Sequence, residues 1–189
     1  MSEGFHVHGP HDHEVEHQAH SRDPMAARVA VMTAILATIG ALISYQGGAT
    51  QNAALLYKNE AAIKKTEASD QWNFYQAKSN KQNLAELGAT LATGKASDDY
   101  RTEVERYKKE KEKIMADAKA LEQASRDADT KSDESMHVHH RWAQSMALIQ
   151  VAIALAAITL LTRQKWLQWM AYGAGIGSLV IAALAFAHI

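Results

Sequence analysis

Three runs of about 20 apolar residues constrain this 189-residue chain more than any other feature. They cover residues 26–46, 142–162 and 166–187, and Arg28 is the one charged residue among them. At 1.5 Å per residue, a helix of about 20 residues spans roughly 30 Å, which is the thickness of the hydrocarbon core of a bilayer. Tryptophans stand at or near the ends of these runs, where amphipathic rings prefer the membrane interface. The sequence therefore predicts an integral membrane protein with three transmembrane helices.

The first run has one alternative interpretation, a cleaved signal peptide, because Gly47-Gly48-Ala49 loosely resembles a cleavage site. Its apolar region is longer than that of a signal peptide, and the segment before it lacks a basic n-region. We therefore interpret the run as a membrane span.

Composition predicts an all-α chain without an affinity for nucleic acid. Both prolines, Pro10 and Pro24, precede the first apolar run, and helix-forming residues dominate the rest of the sequence. A net charge of −1 does not indicate the excess of positive charge that proteins use to bind nucleic acid. The absence of cysteine excludes disulfides, thiolate metal sites and thiol catalysis.

About 95 mostly polar residues separate the first two runs, and we expect them to form a long antiparallel coiled-coil hairpin. Gly47-Gly48 is interpreted as a break after the first run. A turn is predicted near 93–97, where Gly94 suits the C-terminal end of one helix and Ser97 can cap the next. The predicted domains are a His-rich polar tail (1–25), a first span (26–47), the hairpin (48–141), a second span (142–162), a short basic turn (163–165) and a third span (166–187).

Each arm of the predicted hairpin carries a stripe with heptad spacing. The stripe of the second arm contains Tyr100, Val104, Tyr107, Lys111, Ile114, Ala118, Leu121, Ser125 and Ala128. The poorer stripe of the first arm contains Leu56, Ile63, Phe74, Ala77, Leu84 and Leu91. Folding the arms back at Gly94 places these stripes together and predicts an ion pair between Lys81 and Glu110. Because the seam is thin in large apolar residues, we expect helices of other copies or of a partner protein to pack against it.

An aromatic cluster, Trp72, Phe74 and Tyr75, lies in the polar insert. We expect it to pack within the hairpin or between subunits, because the apolar stripe passes through Phe74. An exposed docking patch is the alternative.

Small residues in the last two spans predict close helix contacts. Gly173 and Gly177 form a GxxxG pair, and two alanine pairs, Ala143/Ala147 and Ala152/Ala156, have the same spacing in the second span. The contacts could lie within one chain or between subunits.

The short turn between the second and third spans carries Arg163 and Lys165, and the positive-inside rule puts such a turn in the cytoplasm. The N-terminus is then cytoplasmic and the hairpin periplasmic. Basic residues that flank the hairpin argue for the opposite orientation, but the rule discounts long insertions.

The motif HEVEH at 13–17 matches the H-E-x-x-H pattern of zinc metalloproteases, in which two histidines hold the metal and the glutamate activates a water. Here His13, Glu14 and His17 lie in a short tail that has no core of its own. Glu16 also places a charge where zinc proteases usually keep none. We therefore expect neither an enzyme nor a catalytic residue.

Divalent-metal binding by the tail is an alternative function, because neutral imidazoles four residues apart coordinate zinc, nickel or copper. The candidate ligands are His6, His8, His11, His13, His17 and His20. A second cluster, His137, His139 and His140, is interpreted as polar residues at the membrane interface.

Five longer stretches carry a resemblance to a known family. They read HGPHDHEVEHQAH, LISYQGGATQN, KNEAAIKKTEASDQWNFYQAKSNKQNLAE, ERYKKEKE and HHRWAQSMALIQVAIALAAITLLTRQKW. The most specific parts are ISYQGGATQN and KTEASDQWNFYQAKS. Together they resemble a family of bacterial membrane proteins catalogued as domain of unknown function 4337, and the resemblance covers nearly the whole chain. It implies a bacterial inner-membrane protein of this layout and supplies no activity, cofactor or catalytic residue.

These observations predict a non-enzymatic protein of the bacterial inner membrane. We expect it to act as an oligomerising scaffold or partner-binding protein through its hairpin. The expected partners are the lipid bilayer and either further copies of the chain or another membrane protein. The alternative is a metal-handling membrane protein that uses the N-terminal histidines.

Overall fold

The computed structural model of the protein describes residues 24–187, which form three helices joined by two short turns. These helices are α1 (Pro24–Leu91), α2 (Lys95–Thr162) and α3 (Lys165–Phe186). No strand occurs within the described residues, so the predicted all-α class is confirmed. The six N-terminal histidines, from His6 to His20, lie outside the described residues.

Each helix contains an apolar segment long enough to cross a membrane. The mean hydropathy of the most apolar window is 2.0 in α1, 2.1 in α2 and 1.7 in α3. Only 28%, 28% and 22% of these windows are buried inside the protein. Most of the apolar surface of the three segments is therefore left uncovered by the fold.

The chain divides into two compact units. Among the described residues, the first unit contains 24–47 and 140–187 and is called the apolar unit below. The second contains Gly48–His139 and is called the hairpin unit. All three apolar runs of the sequence belong to the apolar unit.

Helix α1 continues unbroken through Gly47 and Gly48, so the break predicted there is wrong. A glycine in a helix interior costs only about 1 kcal/mol relative to alanine, which neighbouring helical residues can offset. Gly47 is buried, and a Cβ atom there would lie 3.4 Å from Cβ of Trp142. The glycine therefore provides space for a close contact with α2 and does not end the helix.

One face of each helix forms the interior of the apolar unit. From α1 and α2 the buried residues are Val29, Met32, Leu36, Gly40, Ile43, Gly47, Trp142, Ser145, Ile149, Ala152, Ala156 and Thr159, and from α3 they are Leu167, Ala171, Gly175, Ser178 and Ala185. The hydroxyl groups of Ser145 and Ser178 each donate to the backbone carbonyl of the other residue at 2.8 Å. These two bonds join α2 to α3 in the interior of the apolar unit.

The GxxxG prediction is confirmed for one of its two glycines: a Cβ atom at Gly177 would lie 3.9 Å from Cδ1 of Leu148 on α2. Gly173 is exposed, and nothing lies within 4 Å of the position that a Cβ atom would take there. The close contact belongs instead to Gly175, where a Cβ atom would lie 3.0 Å from Cδ2 of Leu36. Ala152 and Ala156 are both completely buried, as their spacing predicted, whereas the prediction for Ala143 and Ala147 is wrong because both are exposed. A helix built largely of small residues has several possible contact faces, and the packing partner selects one of them.

Gly94 forms the turn between α1 and α2, as predicted. Its φ of 62° lies in the left-handed region that favours glycine. The predicted cap at Ser97 is wrong, because α2 already begins at Lys95. Ser97 Oγ instead donates to the carbonyl of Ala89 at 2.9 Å and so ties α2 to the end of α1.

Candidate interaction surface

Small residues form the face of α1 that packs against α2 in the hairpin unit. Its buried members are Ala54, Ala61, Ala68 and Ala85. The facing side of α2 buries Val104, Ile114, Ala118 and Ala128, which are four members of the predicted stripe of that arm. Alanine on one helix therefore meets a mixture of small and branched residues on the other.

Serine hydroxyls of α2 bond directly to the backbone of α1. Ser125 Oγ donates to the carbonyl of Ala61 at 2.8 Å, and Ser132 Oγ donates to the carbonyl of Ala54 at 2.9 Å. The two serines and the two alanines are each one heptad apart, so the contact repeats along an antiparallel pair of helices. A serine side chain is short, and it reaches a carbonyl of a neighbouring helix only where the two backbones approach closely. The alanines of α1 make that approach possible.

The register of the two arms differs from the predicted one by nearly a helical turn. Lys78 forms the ion pair with Glu110, and Lys81, the predicted partner, acts on Glu110 only through its charge. Farther from the turn, Lys58 Nζ donates to Asp129 Oδ1 at 2.5 Å. The prediction assumed that the large apolar residues of α1 face α2, whereas its alanines do, and this rotation of α1 shifts the pairing.

The aromatic cluster is divided between the interior of the hairpin unit and its surface. Trp72 Nε1 donates to Glu122 Oε1 at 2.8 Å, and the ring of Trp72 meets that of Tyr75 edge-on at 5.7 Å. The ammonium group of Lys111 lies 4.9 Å from the centre of the Tyr75 ring. Phe74 is about half exposed. Packing within the hairpin therefore accounts for two of the three rings, and the half-exposed ring of Phe74 has its centre 5.3 Å from the ammonium group of Lys78.

Glu110 is one of the carboxylates that bond across the two arms, and its pKa is lowered there. The hydrogen bond from Lys78 lowers the pKa of Glu110 below its ordinary value of 4.5, and the charges of Lys78 and Arg106 lower it further. A lowered pKa in the folded state means that the stabilisation is present above pH 4.5 and is lost as the pH falls through the lowered pKa.

We expect the melting temperature of the protein to fall as the pH drops from 5 towards 2, and this fall to be smaller in Glu110→Gln. The control is Glu105→Gln, because Glu105 pairs with Lys108 within α2 and not with α1. Thermal unfolding followed by circular dichroism in detergent measures both. The same pH dependence in the two variants would contradict a role for Glu110 in joining the arms.

A second apolar stripe runs along α1 on its outward face. Leu56, Ile63, Leu84 and Leu91 are spaced by multiples of seven residues, and their exposed fractions are 69%, 57%, 68% and 77%. The stripe begins two residues after Ala54, so it lies roughly 200° around the helix from the face that packs against α2. The prediction that these residues form the seam between the arms is therefore wrong. Within the described residues all four side chains stay more than half exposed.

Asparagines accompany this outward stripe with the same period. Asn52, Asn59, Asn73 and Asn80 stand at one heptad position, and all four are exposed. In this repeat they lie next to the leucine and isoleucine positions, as the second core position of a coiled coil does. An amide side chain carries both donors and an acceptor, so two identical asparagines can bond to each other. We define the outward face of α1 as these four asparagines together with Leu56, Ile63, Leu84 and Leu91.

The histidines that the structure describes do not form a metal centre. His137 and His140 are exposed, and His139 is partly buried. Between residues 24 and 187, no group of three or more His, Asp or Glu side chains is placed to hold a metal ion. The proposed ligands His6, His8, His11, His13, His17 and His20 lie outside this range, so metal binding by the tail stays a prediction.

Comparison with known proteins identifies a family and no individual relative. No curated protein and no solved structure matches the chain. The family described as Domain of unknown function (DUF4337) matches residues 25–188, a segment that includes nearly all of the three helices. This confirms the resemblance that the sequence stretches indicated. The chain belongs to the DUF4337 family.

Proposed function

We propose that the protein is a non-enzymatic integral protein of the bacterial inner membrane that self-associates through the outward face of α1. In this role the apolar unit is the anchor, and the hairpin unit is a scaffold that holds copies of the chain together. The exposed heptad stripe of α1 is the observation that carries the proposal.

The surface of the apolar unit supports membrane insertion. Val31, Leu161 and Ile176 have exposed fractions of 61%, 86% and 63%. A water-soluble protein rarely exposes a contiguous apolar surface of this kind, whereas a hydrocarbon environment favours it. The buried hydroxyl pair Ser145 and Ser178 supports the same reading, since polar side chains of membrane helices bond to one another inside the bundle.

The orientation follows from the charges of the turn after α2. Arg163 and Lys165 favour the cytoplasm for this turn, which assigns the N-terminus to the cytoplasm and the hairpin unit to the periplasm. Copies inserted in one membrane share this orientation, which favours a parallel self-association.

Parallel packing also suits the residues of the outward face. In a parallel, in-register pair each residue meets its own counterpart, so leucine meets leucine and Asn59 meets Asn59. Asn–Asn pairs of this kind fix the register and the number of subunits. Asp70 interrupts the stripe and would meet the Asp70 of the second copy, and this repulsion weakens the association.

Disulfide trapping tests this arrangement directly, because the chain has no cysteine. We expect Ile63→Cys and Leu84→Cys each to form covalent dimers when membranes are oxidised, because a parallel pair brings identical Cα atoms within the reach of a disulfide, about 4.4–6.8 Å. Ala120→Cys, on the exposed side of α2, is the control and should stay monomeric. Dimer yield is read from non-reducing gels.

The same experiment can contradict the proposal in two ways. Disulfides that form only between Ile63→Cys and Leu84→Cys, when the two variants are mixed, would indicate an antiparallel pair. Equal yields at Ala120→Cys and Ile63→Cys would indicate random collision.

Asp70→Leu should raise the dimer fraction of the Ile63→Cys protein, because it removes the like-charge contact.

A further inference from the structure

A groove in the apolar unit runs between α1 and α3. Its volume is about 560 Å³, within the range of roughly 300–1,000 Å³ that small-molecule sites occupy. Val31 and Ile35 line it from α1, and Ile176 and Leu179 line it from α3. The walls are apolar along most of their length, so they suit a hydrocarbon chain.

A polar pocket adjoins the groove near the first turns of both helices. It has a volume of about 590 Å³ and shares Arg28 and Tyr172 with the groove. Lys165, Gln168 and Trp169 also line it, all three from α3. The amide nitrogen of Gln168 donates to the hydroxyl of Tyr172 at 3.2 Å, which orients both groups at the junction of the two cavities.

The pocket carries positive charge. Arg28 and Lys165 come from different helices and line one cavity, and within the part of the chain that the structure describes neither forms an ion pair. The first turns of α1 and α3 add partial positive charge, because the amide groups at the start of a helix have no partner within it. A ligand that suits both cavities carries an anionic head and an apolar tail.

We propose that this composite site binds an anionic phospholipid of the bilayer. Its phosphate lies between Arg28 and Lys165, and one acyl chain follows the groove along Val31 and Ile176. The ring of Trp169 meets that of Tyr172 edge-on at 6.0 Å beside this pocket, and aromatic rings of this kind favour the level of the lipid headgroups. Basic pockets between membrane helices on the cytoplasmic side are suited to anionic headgroups. This inference rests on the membrane insertion and orientation proposed above.

Native mass spectrometry of the full-length protein tests the lipid site with two probes, phosphatidylglycerol and phosphatidylcholine. We expect the wild-type protein to prefer phosphatidylglycerol, and Arg28→Gln with Lys165→Gln to reduce its binding by about tenfold for each cation removed. Arg163→Gln is the matched control. It removes one positive charge from the same turn but does not line the pocket, and it should bind phosphatidylglycerol as the wild type does.

A second pair of variants tests the groove. Val31→Trp fills it from an exposed position and should reduce the binding of both lipids several-fold. Val151→Trp is the control, because Val151 is similarly exposed but lies on α2 outside the groove.

If inorganic phosphate displaced phosphatidylglycerol while Val31→Trp changed nothing, the pocket would be an anion site without a lipid tail. If a preference for phosphatidylglycerol arose only after removal of residues 1–22, the acidic tail would occupy the pocket, and the lipid assignment would be wrong.

The lipid site can fail while the proposed function stands. Resistance of the wild-type protein to alkaline extraction from membranes reports insertion, and disulfide trapping at Ile63→Cys reports self-association. If the protein resists extraction and forms the Ile63→Cys disulfide but shows no preference between the two lipids, the lipid site alone is overturned. Extraction of the wild-type protein at high pH would overturn the membrane anchor on which both proposals rest.

Discussion

Ala118→Leu is expected to reduce the free energy of unfolding of the hairpin unit by about 1–3 kcal/mol, the usual cost of added side-chain volume in a packed interior. Ala118 is completely buried in the contact between α1 and α2. The added carbons cannot fit without separating the helices. Separation also lengthens the bond from Ser125 Oγ to the carbonyl of Ala61, which is 2.8 Å in the structure.

Ala120→Leu is the control for this prediction. Ala120 is exposed on the same helix, and leucine and alanine are both good helix formers, so its effect should stay within about 0.5 kcal/mol. Urea unfolding of the full-length protein in detergent gives the free energies, and hydrogen exchange shows whether the loss is confined to the hairpin amides. Equal stability of Ala118→Leu and Ala120→Leu would mean that the arms are not closely packed at this point.

The sequence predicted α2 better than α1, and the difference has a physical cause. In the polar part of α2 the apolar residues follow one stripe. The pattern that includes Val104 and Ile114 therefore predicts a single buried face. The polar part of α1 carries two stripes, one of alanine and one of leucine and isoleucine. Ranking residues by hydrophobicity selects Leu56 and Ile63, but the partner helix bonds through serine to the backbone and therefore requires the alanines.

The polar pocket that contains Arg28 and Lys165 was not predictable from sequence for a different reason. Arg28 is noticeable as the one charge in the first apolar run, and Lys165 as part of a basic turn. More than one hundred residues separate them, and the sequence contains no pattern that connects them. Only the packing of α1 beside α3 places both side chains around one cavity.

Ala156→Leu tests the packing of the apolar unit, and here hydrophobicity and packing predict opposite results. Leucine is the more hydrophobic residue, so a contribution from hydrophobicity alone would stabilise the protein. Within a membrane the lipid tails are as apolar as leucine, and close packing is what favours association of the helices. Because Ala156 is completely buried, we expect its replacement to destabilise the apolar unit by about 1–3 kcal/mol.

Ala157→Leu makes the same chemical change one residue along α2, at an exposed position. It should alter the free energy of unfolding by less than about 0.5 kcal/mol. Titration of the full-length protein from a mild detergent into dodecyl sulfate, followed by circular dichroism, measures both variants on one scale. Stabilisation by Ala156→Leu would mean that the interior of the apolar unit has room for a larger side chain. A loss confined to Ala156→Leu would show that small residues, and not large apolar ones, determine how closely these helices pack.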